Sequence, residues 1–296
     1  MKILLPTDGS EYSEGAARFL TALDLSPEDE VNVFHVISGV PFKDDRDSYY
    51  SAVRKIRQEI APRILDSTVE MLRPLKARIS TALVDGYPGK SIIDVAMDTD
   101  MDLVVMGARG LKGVKSFFLG SVTRWVAINS PKPTLVIKPP QWQASGRMKV
   151  LFATDGSECA YTAGKFLASM PFRDDAEVTI LNVVWSALSD IPERYAMEVD
   201  ERMKEVVARS RTEEYADSER IIEETGKILG KRFAKMDAVT KSGDAAHEIL
   251  ESAEKLDADI RAVGSRGLRG LKGMMGSVSR NVLGHSRCSV LIGKAG

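Results

Sequence analysis

The sequence is poor in the residues that build metal centres. Its 296 residues include two cysteines and three histidines, too few and too scattered for a structural zinc site. Cys159 and Cys288 read as free thiols of a reducing cytosol rather than as a disulfide, and His35, His247 and His285 have no metal-ligand spacing. An excess of one charge is also missing. The 41 Lys and Arg residues balance 42 Asp and Glu residues, for a net charge of −1, so nothing points to nucleic acid or a membrane surface as a partner. No apolar run reaches the ~20 residues of a membrane span. The N-terminus enters the strand-like Lys2-Ile3-Leu4-Leu5-Pro6 without a secretory layout, and the expected location is cytoplasmic.

Common reaction signatures are absent as well. No G-x-G-x-x-G follows the first strand, which argues against a nicotinamide or flavin dinucleotide enzyme. There is no G-x-S-x-G elbow and no Ser-His-Asp or Cys-His arrangement. Gly89-Lys90-Ser91 imitates the end of a Walker loop, but Val84 stands where its first glycine is required, and the segment reads as a helix start.

What the sequence does have is a repeat. At 44% hydrophobic and 28% charged residues the chain is globular, and it is long enough for two domains. Lys2-Ile-Leu-Leu-Pro-Thr-Asp-Gly-Ser-Glu11 aligns with Lys149-Val-Leu-Phe-Ala-Thr-Asp-Gly-Ser-Glu158, and Phe34–Ile37 with Leu181–Val184, at an offset of 147. Val36 to Gly107 spans 71 positions and Val183 to Gly264 spans 81, so the second copy carries ten extra residues. These fall in the charged stretch Pro192–Phe233, which reads as a solvated helix, with a lid or partner surface as the alternative. The expected domains are 1–140 and 147–296, joined by a stiff linker over Pro139–Gly146.

Within the first copy, strand-length apolar runs (Ile3–Leu5, Val31–Ile37, Ile79–Val84, Leu103–Met106, Leu135–Ile137) alternate with helical patterns. The helices are expected near 13–23, with Ala17, Leu20 and Leu23 inward; near 53–72, with Ile56, Ile60 and Ile64 in register and Pro62 and Pro74 as kinks or breaks; near 89–97; and near 121–128. This alternation predicts an α/β fold with a parallel, doubly wound sheet covered on both faces. Ligands of such sheets sit at the C-terminal strand edge, near the switch in strand order.

Two motifs reach that edge. The first strand ends in Pro6-Thr7-Asp8-Gly9-Ser10, repeated as Thr154-Asp155-Gly156-Ser157. Its carboxylate can accept hydrogen bonds from a ribose or a base; alternatively it serves the start of the next helix, with Ser10 or Ser13 as the cap. The second motif follows Leu103–Met106. Gly107 and Gly110 let backbone N–H groups approach phosphates, and Gly120-Ser121 opens a helix whose N-terminus suits an anion. Ser121 or Thr123 can add a hydroxyl, and Arg109, Lys112 and Lys115 can meet phosphate charge. The competing reading is a glycine-rich turn with a Ser helix cap and solvated basic residues, Arg124 among them. The second copy, Gly264, Gly267 and Gly276-Ser277, favours phosphate binding.

These residues resemble the universal stress protein family. Gly107, Gly110, Gly120 and Ser121 match its G-x2-G-x9-G-[ST] motif in full, and Pro6-Thr7-Asp8 and His35-Val36 match its strand ends. The resemblance implies two tandem open five-stranded parallel sheets with helices on both faces, of the adenine-nucleotide α-hydrolase-like, Rossmann-like kind. It implies ATP with Mg2+ as the ligand. Thr7, Asp8 and the Val36 backbone would hold the adenosine. Met106, Gly107, Arg109 and Gly110 would line the ribose and phosphates, and Gly120, Ser121, Val122 and Thr123 the phosphate tail. The same places in the second copy are Thr154, Asp155, Val183, Gly264, Gly267, Gly276, Ser277 and Val278. Family members pair through their last strands, which here implies that Thr134–Ile137 and Ser289–Ile292 join within the chain, with a homodimer as a further option.

The second copy departs from the motif. Only eight residues separate Gly267 from Gly276, Ala153 replaces Pro6, Asn182 replaces His35, and Arg261 stands in the strand where the first copy has Val104. Arg261 either faces a domain interface or ligand pocket, or lies near the strand start and reaches solvent. The expectation is that the first copy binds ATP well and the second weakly or differently. Functionally, the sequence points to an ATP-binding stress or signalling protein whose nucleotide acts as a conformational ligand, with an unknown protein partner and at most slow hydrolysis. The alternatives are an ATP pyrophosphatase or nucleotidyl transferase of the same superfold and an interaction module without nucleotide.

Overall fold

A computed structural model describes residues 1–39, 48–110, 119–138, 146–185, 201–268 and 274–294. The linker residues 139–145, Lys112 and Lys115, and the start of the ten-residue excess lie outside them.

The first half runs β1 (Lys2–Pro6), α1 (Glu11–Leu20), β2 (Glu30–Ser38), α2 (Ser48–Leu72), β3 (Arg78–Gly86), α3 (Pro88–Asp98), β4 (Leu103–Gly107), α4 (Ser121–Asn129) and β5 (Thr134–Ile137). The second runs β6 (Lys149–Ala153), α5 (Glu158–Ser169), β7 (Glu177–Val184), α6 (Glu201–Leu229), β8 (Lys235–Ser242), α7 (Ala245–Lys255), β9 (Ile260–Gly264), α8 (Ser277–His285) and β10 (Ser289–Gly293). Ile3, Leu4 and Leu5 are all fully buried, as a strand covered on both faces requires. Ser10 and Ser157 cap α1 and α5, their side chains accepting from the N–H groups of Ser13 and Ala160, so of the sequence alternatives the cap is Ser10. Gly89-Lys90-Ser91 lies in the first turn of α3 behind Pro88, as its reading as a helix start requires.

Each half is a parallel five-stranded sheet, and the halves fuse into one ten-stranded sheet of order β3-β2-β1-β4-β5-β10-β9-β6-β7-β8. The seam is the antiparallel pair β5–β10, with Val136 opposite Val290 and Leu135 opposite Leu291. Strand order reverses between β1 and β4 and between β6 and β9, which opens a crevice at each switch point.

One apolar cluster runs along one face across the seam, from Phe19, Leu20 and Leu65 to Phe152, Leu167 and Leu229. On the other face, α3 and α4 cover the first half and α7 and α8 the second. Two expectations fail on this face-to-face packing. Pro62 does not end α2, which runs on to Leu72, two residues before Pro74. Pro62 lies on the exposed side, where the backbone acceptor it leaves can turn to water. Ile56 and Ile60 are not core residues, being 53% and 45% exposed; the inward stripe is Ala61, Leu65, Thr68 and Leu72.

Two lysines cross the seam. Because β5 and β10 are antiparallel, each emerges beside the other half's last helix. Lys138 Nζ donates to Leu283 O (2.8 Å) and Ser286 O (2.7 Å) at the C-terminus of α8. Lys294 Nζ donates to Ala127 O (3.0 Å) and Ile128 O (3.1 Å) in the last turn of α4. Each satisfies helix-end carbonyls at the negative pole of the dipole. Burial nevertheless pulls both ammonium groups from 10.5 to about 8. The native chain therefore holds fewer protons than the unfolded one between pH 8 and 10.5, so this contribution to stability rises with pH across that window. Urea unfolding at pH 7.5 and 9.5 checks this. The stability of the parent should gain on that of a Lys138→Met/Lys294→Met chain as pH rises, and equal changes in both would refute it.

Candidate functional site

At each switch point the strand-end aspartate lies close against the glycine loop. Asp8 Oδ1 accepts from Ser10 N (3.1 Å) and Ser10 Oγ (2.6 Å); Asp155 Oδ1 accepts from Ser157 N (3.0 Å). Asp155 Oδ2 also accepts from Leu268 N (2.9 Å), across to the loop after β9. A Cβ on Gly110 would collide with the Asp8 carboxylate, and one on Gly267 would lie 2.5 Å from Asp155 Oδ2. Gly110 and Gly267 thus admit the aspartates.

Gly107 and Gly264 answer a further constraint that the sequence did not imply. A Cβ on Gly107 would run into the backbone of Tyr12 in α1, and one on Gly264 would stand 2.9 Å from Ala160 N in α5. These glycines let a helix lie against the strand end. Thr7 and Thr123 are likewise occupied internally. Thr7 Oγ1 bonds Ser13 Oγ and Thr68 Oγ1, each at 3.2 Å. Thr123 Oγ1 donates to Gly107 O (2.8 Å), and Ser279 Oγ to Gly264 O (2.6 Å). Thr123 therefore clamps the end of β4 to α4. Met106 packs in the core beside Pro6's strand. The Arg109 guanidinium stands over the Tyr12 ring, 5.4 Å from its centroid.

The cradle helices α4 and α8 begin at Gly120 and Gly276, and neither start has a side-chain cap. This removes the reading of Ser121 as a helix cap: it is the first helical residue. The first N–H groups of both helices are left for an anion or water.

The one-residue shortening does not disturb the anchors. Gly120 N donates to Ala108 O and Gly276 N to Ser265 O, both at 2.8 Å. The difference falls between these anchors, where residues 111–118 and 269–273 lie outside the described ones. The exchange of His35 for Asn182 is equally compensated. His35 Nδ1 lies 2.7 Å from Thr7 O, and Asn182 Nδ2 donates to Thr154 O at 2.7 Å.

In the second half these parts enclose a cavity of about 540 Å³. All the second-copy candidates line it: Thr154, Asp155, Val183, Gly264, Gly267, Gly276, Ser277 and Val278. It passes over the end of β6 from β7 and α7 on one side to β9 and α8 on the other. The sequence reading missed Trp185, Ala245 and Ile249 on its wall. Trp185 follows Val183 by two positions, a signal that was available; Ala245 and Ile249 belong to an amphipathic helix with no motif.

Arg261 meets neither alternative offered for it. It is 1% exposed and does not line the cavity. Its Nη1 donates to Ser286 Oγ (2.6 Å) and its Nη2 to Leu250 O (2.8 Å), beneath α7 and α8. Burial lowers its pKa from the usual guanidinium value.

A duplicated, doubly wound α/β sheet with a strand-end aspartate and an uncapped Gly-Ser helix at each switch point defines the class: a tandem Rossmann-like protein with a candidate crevice in each half. The sequence profile of the universal stress protein family matches residues 1–138 and again 146–294. A universal stress protein of Methanocaldococcus jannaschii is 30% identical over 141 residues, 47% of this chain and 83% of its own. One from Bacillus subtilis is 31% identical over 147 residues, 46% of this chain and 98% of its own. The crystal structure of a universal stress protein from Archaeoglobus fulgidus aligns over 100% of this chain and 96% of its own, at 25% identity and a TM-score of 0.65. The chain belongs to the universal stress protein family.

The two classes of glycine separate experimentally. Gly264→Ala should cost about 1–3 kcal/mol by overpacking against α5. Gly276→Ala, whose new Cβ meets nothing closer than 3.6 Å, should cost about 1 kcal/mol or less as a weaker helix start. Equal losses in urea unfolding would contradict this assignment.

Proposed function

We propose that this protein binds ATP with Mg2+ and uses the nucleotide as a conformational ligand in a cytoplasmic stress response, with units 1–140 and 147–296 as its two nucleotide-binding domains. The observation that carries this reading is the second-half cavity, which gathers all the expected residues of that copy around an uncapped helix N-terminus. Its volume lies within the roughly 300–1,000 Å³ of small-molecule sites. Two strand spacings separate β7 from β9, about 10 Å, a span that suits a base at one end and phosphates at the other. The α8 N–H groups and Arg266 face the phosphate end, and Val183 faces the base end.

Mg2+ would arrive on the phosphates, as it commonly does, and supply charge neutralisation there. Asp155 already accepts two N–H bonds, so it suits a positioning role better than that of a general base. This agrees with slow hydrolysis at most. A ligand at 100 times its Kd stabilises the bound arrangement by about 2.7 kcal/mol, enough to shift the affinity for a protein partner.

Calorimetric titration of nucleotide-free protein with Mg-ATP tests the proposal, beside Gly110→Val and Gly267→Val. Given the matching anchors in the two halves, the parent should bind two equivalents and each variant one. A parent that binds no ATP would sink the reading. A parent with a single site, lost only in Gly110→Val, would restore the sequence expectation of a weak second copy.

A further inference from the structure

Resting on the nucleotide reading above, we infer that Trp185 is the stacking platform that holds the base in the second-half site, and that this ring makes the two sites unequal in their grip on the base.

Three observations meet at this residue. Trp185 stands immediately beyond β7 on the wall of the cavity, and it is 58% exposed. A large ring left open at the mouth of a pocket has an unused face, and a planar ligand covers it at little conformational cost. The cavity is also polarised. Its β7 and α7 end is built from Val183, Trp185, Ala245 and Ile249, with no charged side chain among them, while the β9 and α8 end presents Arg266 and the uncapped helix start. A ligand with an anionic tail and a flat apolar head fits in one direction only, with the head against Trp185.

The third observation is the repeat itself. At the offset of 147 the first-half counterpart of Trp185 is Ser38. The aspartate, the glycines, the clamp hydroxyl and the strand-end bridge all have working counterparts in the other half, but this position does not. Ser38 directs its carbonyl to Arg57 Nη1 (2.7 Å) and offers no ring. Stacking is tolerant of base identity, because every base has a π-face. The second site should therefore favour a nucleoside triphosphate over bare tripolyphosphate while separating ATP from GTP only weakly.

The test uses the full chain with Gly110→Val to silence the first half, titrated calorimetrically with Mg-ATP and with magnesium tripolyphosphate. Trp185→Ser should weaken ATP binding roughly tenfold, the scale of one lost base–aromatic stack. Trp185→Phe should retain most of the affinity, and tripolyphosphate binding should be the same in all three. In a Trp125→Phe/Trp142→Phe chain, the remaining Trp185 emission should change on ATP addition with the calorimetric Kd. Undiminished ATP binding in Trp185→Ser would overturn the inference and leave the nucleotide reading standing. Equal weakening of ATP and tripolyphosphate would overturn it by showing that the ring only builds the cavity. No ATP binding in the Gly110→Val chain beside a parent that still binds would overturn the inference and leave ATP to the first half; no binding in the parent would remove the nucleotide reading as well.

Discussion

The antiparallel pairing of β5 with β10 is the contact on which the rest of the molecule depends. A five-stranded parallel sheet that ended at β5 would expose Thr134–Ile137 as an edge of unpaired backbone, and those residues are buried on both faces. Such an edge must be covered or paired. Joining it to its own repeat closes both edges at once and makes the apolar layer under α1 and α5 continuous. The direction of the seam has a second effect. Antiparallel strands carry their C-terminal residues past each other, which delivers Lys138 to α8 and Lys294 to α4. Parallel strands would have left both helix ends without those donors.

The lysines reach the C-termini of the two helices whose N-termini open the cradles. One end of α8 is fixed by a side chain from the other half, and the other end faces the cavity. The cradle therefore rests on rigid elements, with its floor held by hydroxyl clamps, Thr123 on Gly107 and Ser279 on Gly264. Polar side chains near the site are largely consumed in this internal fastening. The backbone N–H groups at the start of α8 hold positions that the fold sets without further ordering, and donors fixed in advance lose little entropy on binding.

Much of this was legible in the sequence because it rests on local rules. Strand–helix alternation gave the parallel halves, and the Asp-Gly-Ser ends, the strand alignment and the glycine spacing gave the eight second-copy candidates, all of which line the cavity. What escaped detection depends on partners distant in sequence. Gly107 is required by the backbone of Tyr12, about a hundred positions away, and a glycine motif cannot say which neighbour excludes the Cβ. Arg261 reads as an anomaly in a strand until Ser286 and Leu250 arrive to accept its bonds. The Ile56, Ile60, Ile64 stripe misled because α2 is apolar on more than one side, and only docking against the sheet selects the Ala61, Leu65, Thr68, Leu72 face. Pro62 does not break the helix for a related reason, since its cost depends on which face it occupies.

The differences between the halves show what a duplicated site can exchange and what it keeps. His35 and Asn182 differ in shape, yet they reach corresponding strand-end carbonyls, of Thr7 and Thr154, so the constraint is the bridge and not the imidazole. Thr123 and Ser279 differ by a methyl and hold the same kind of carbonyl. The one-residue loss leaves the anchoring bonds in place, Gly120 N to Ala108 O and Gly276 N to Ser265 O. These exchanges conserve a bond while changing the residue. Ser38 and Trp185 do the reverse: the backbone place is shared, and the surface offered to a ligand is not. In a chain whose repeats are welded into one sheet, a change of that kind is how the two sites can diverge without disturbing the fold that both require.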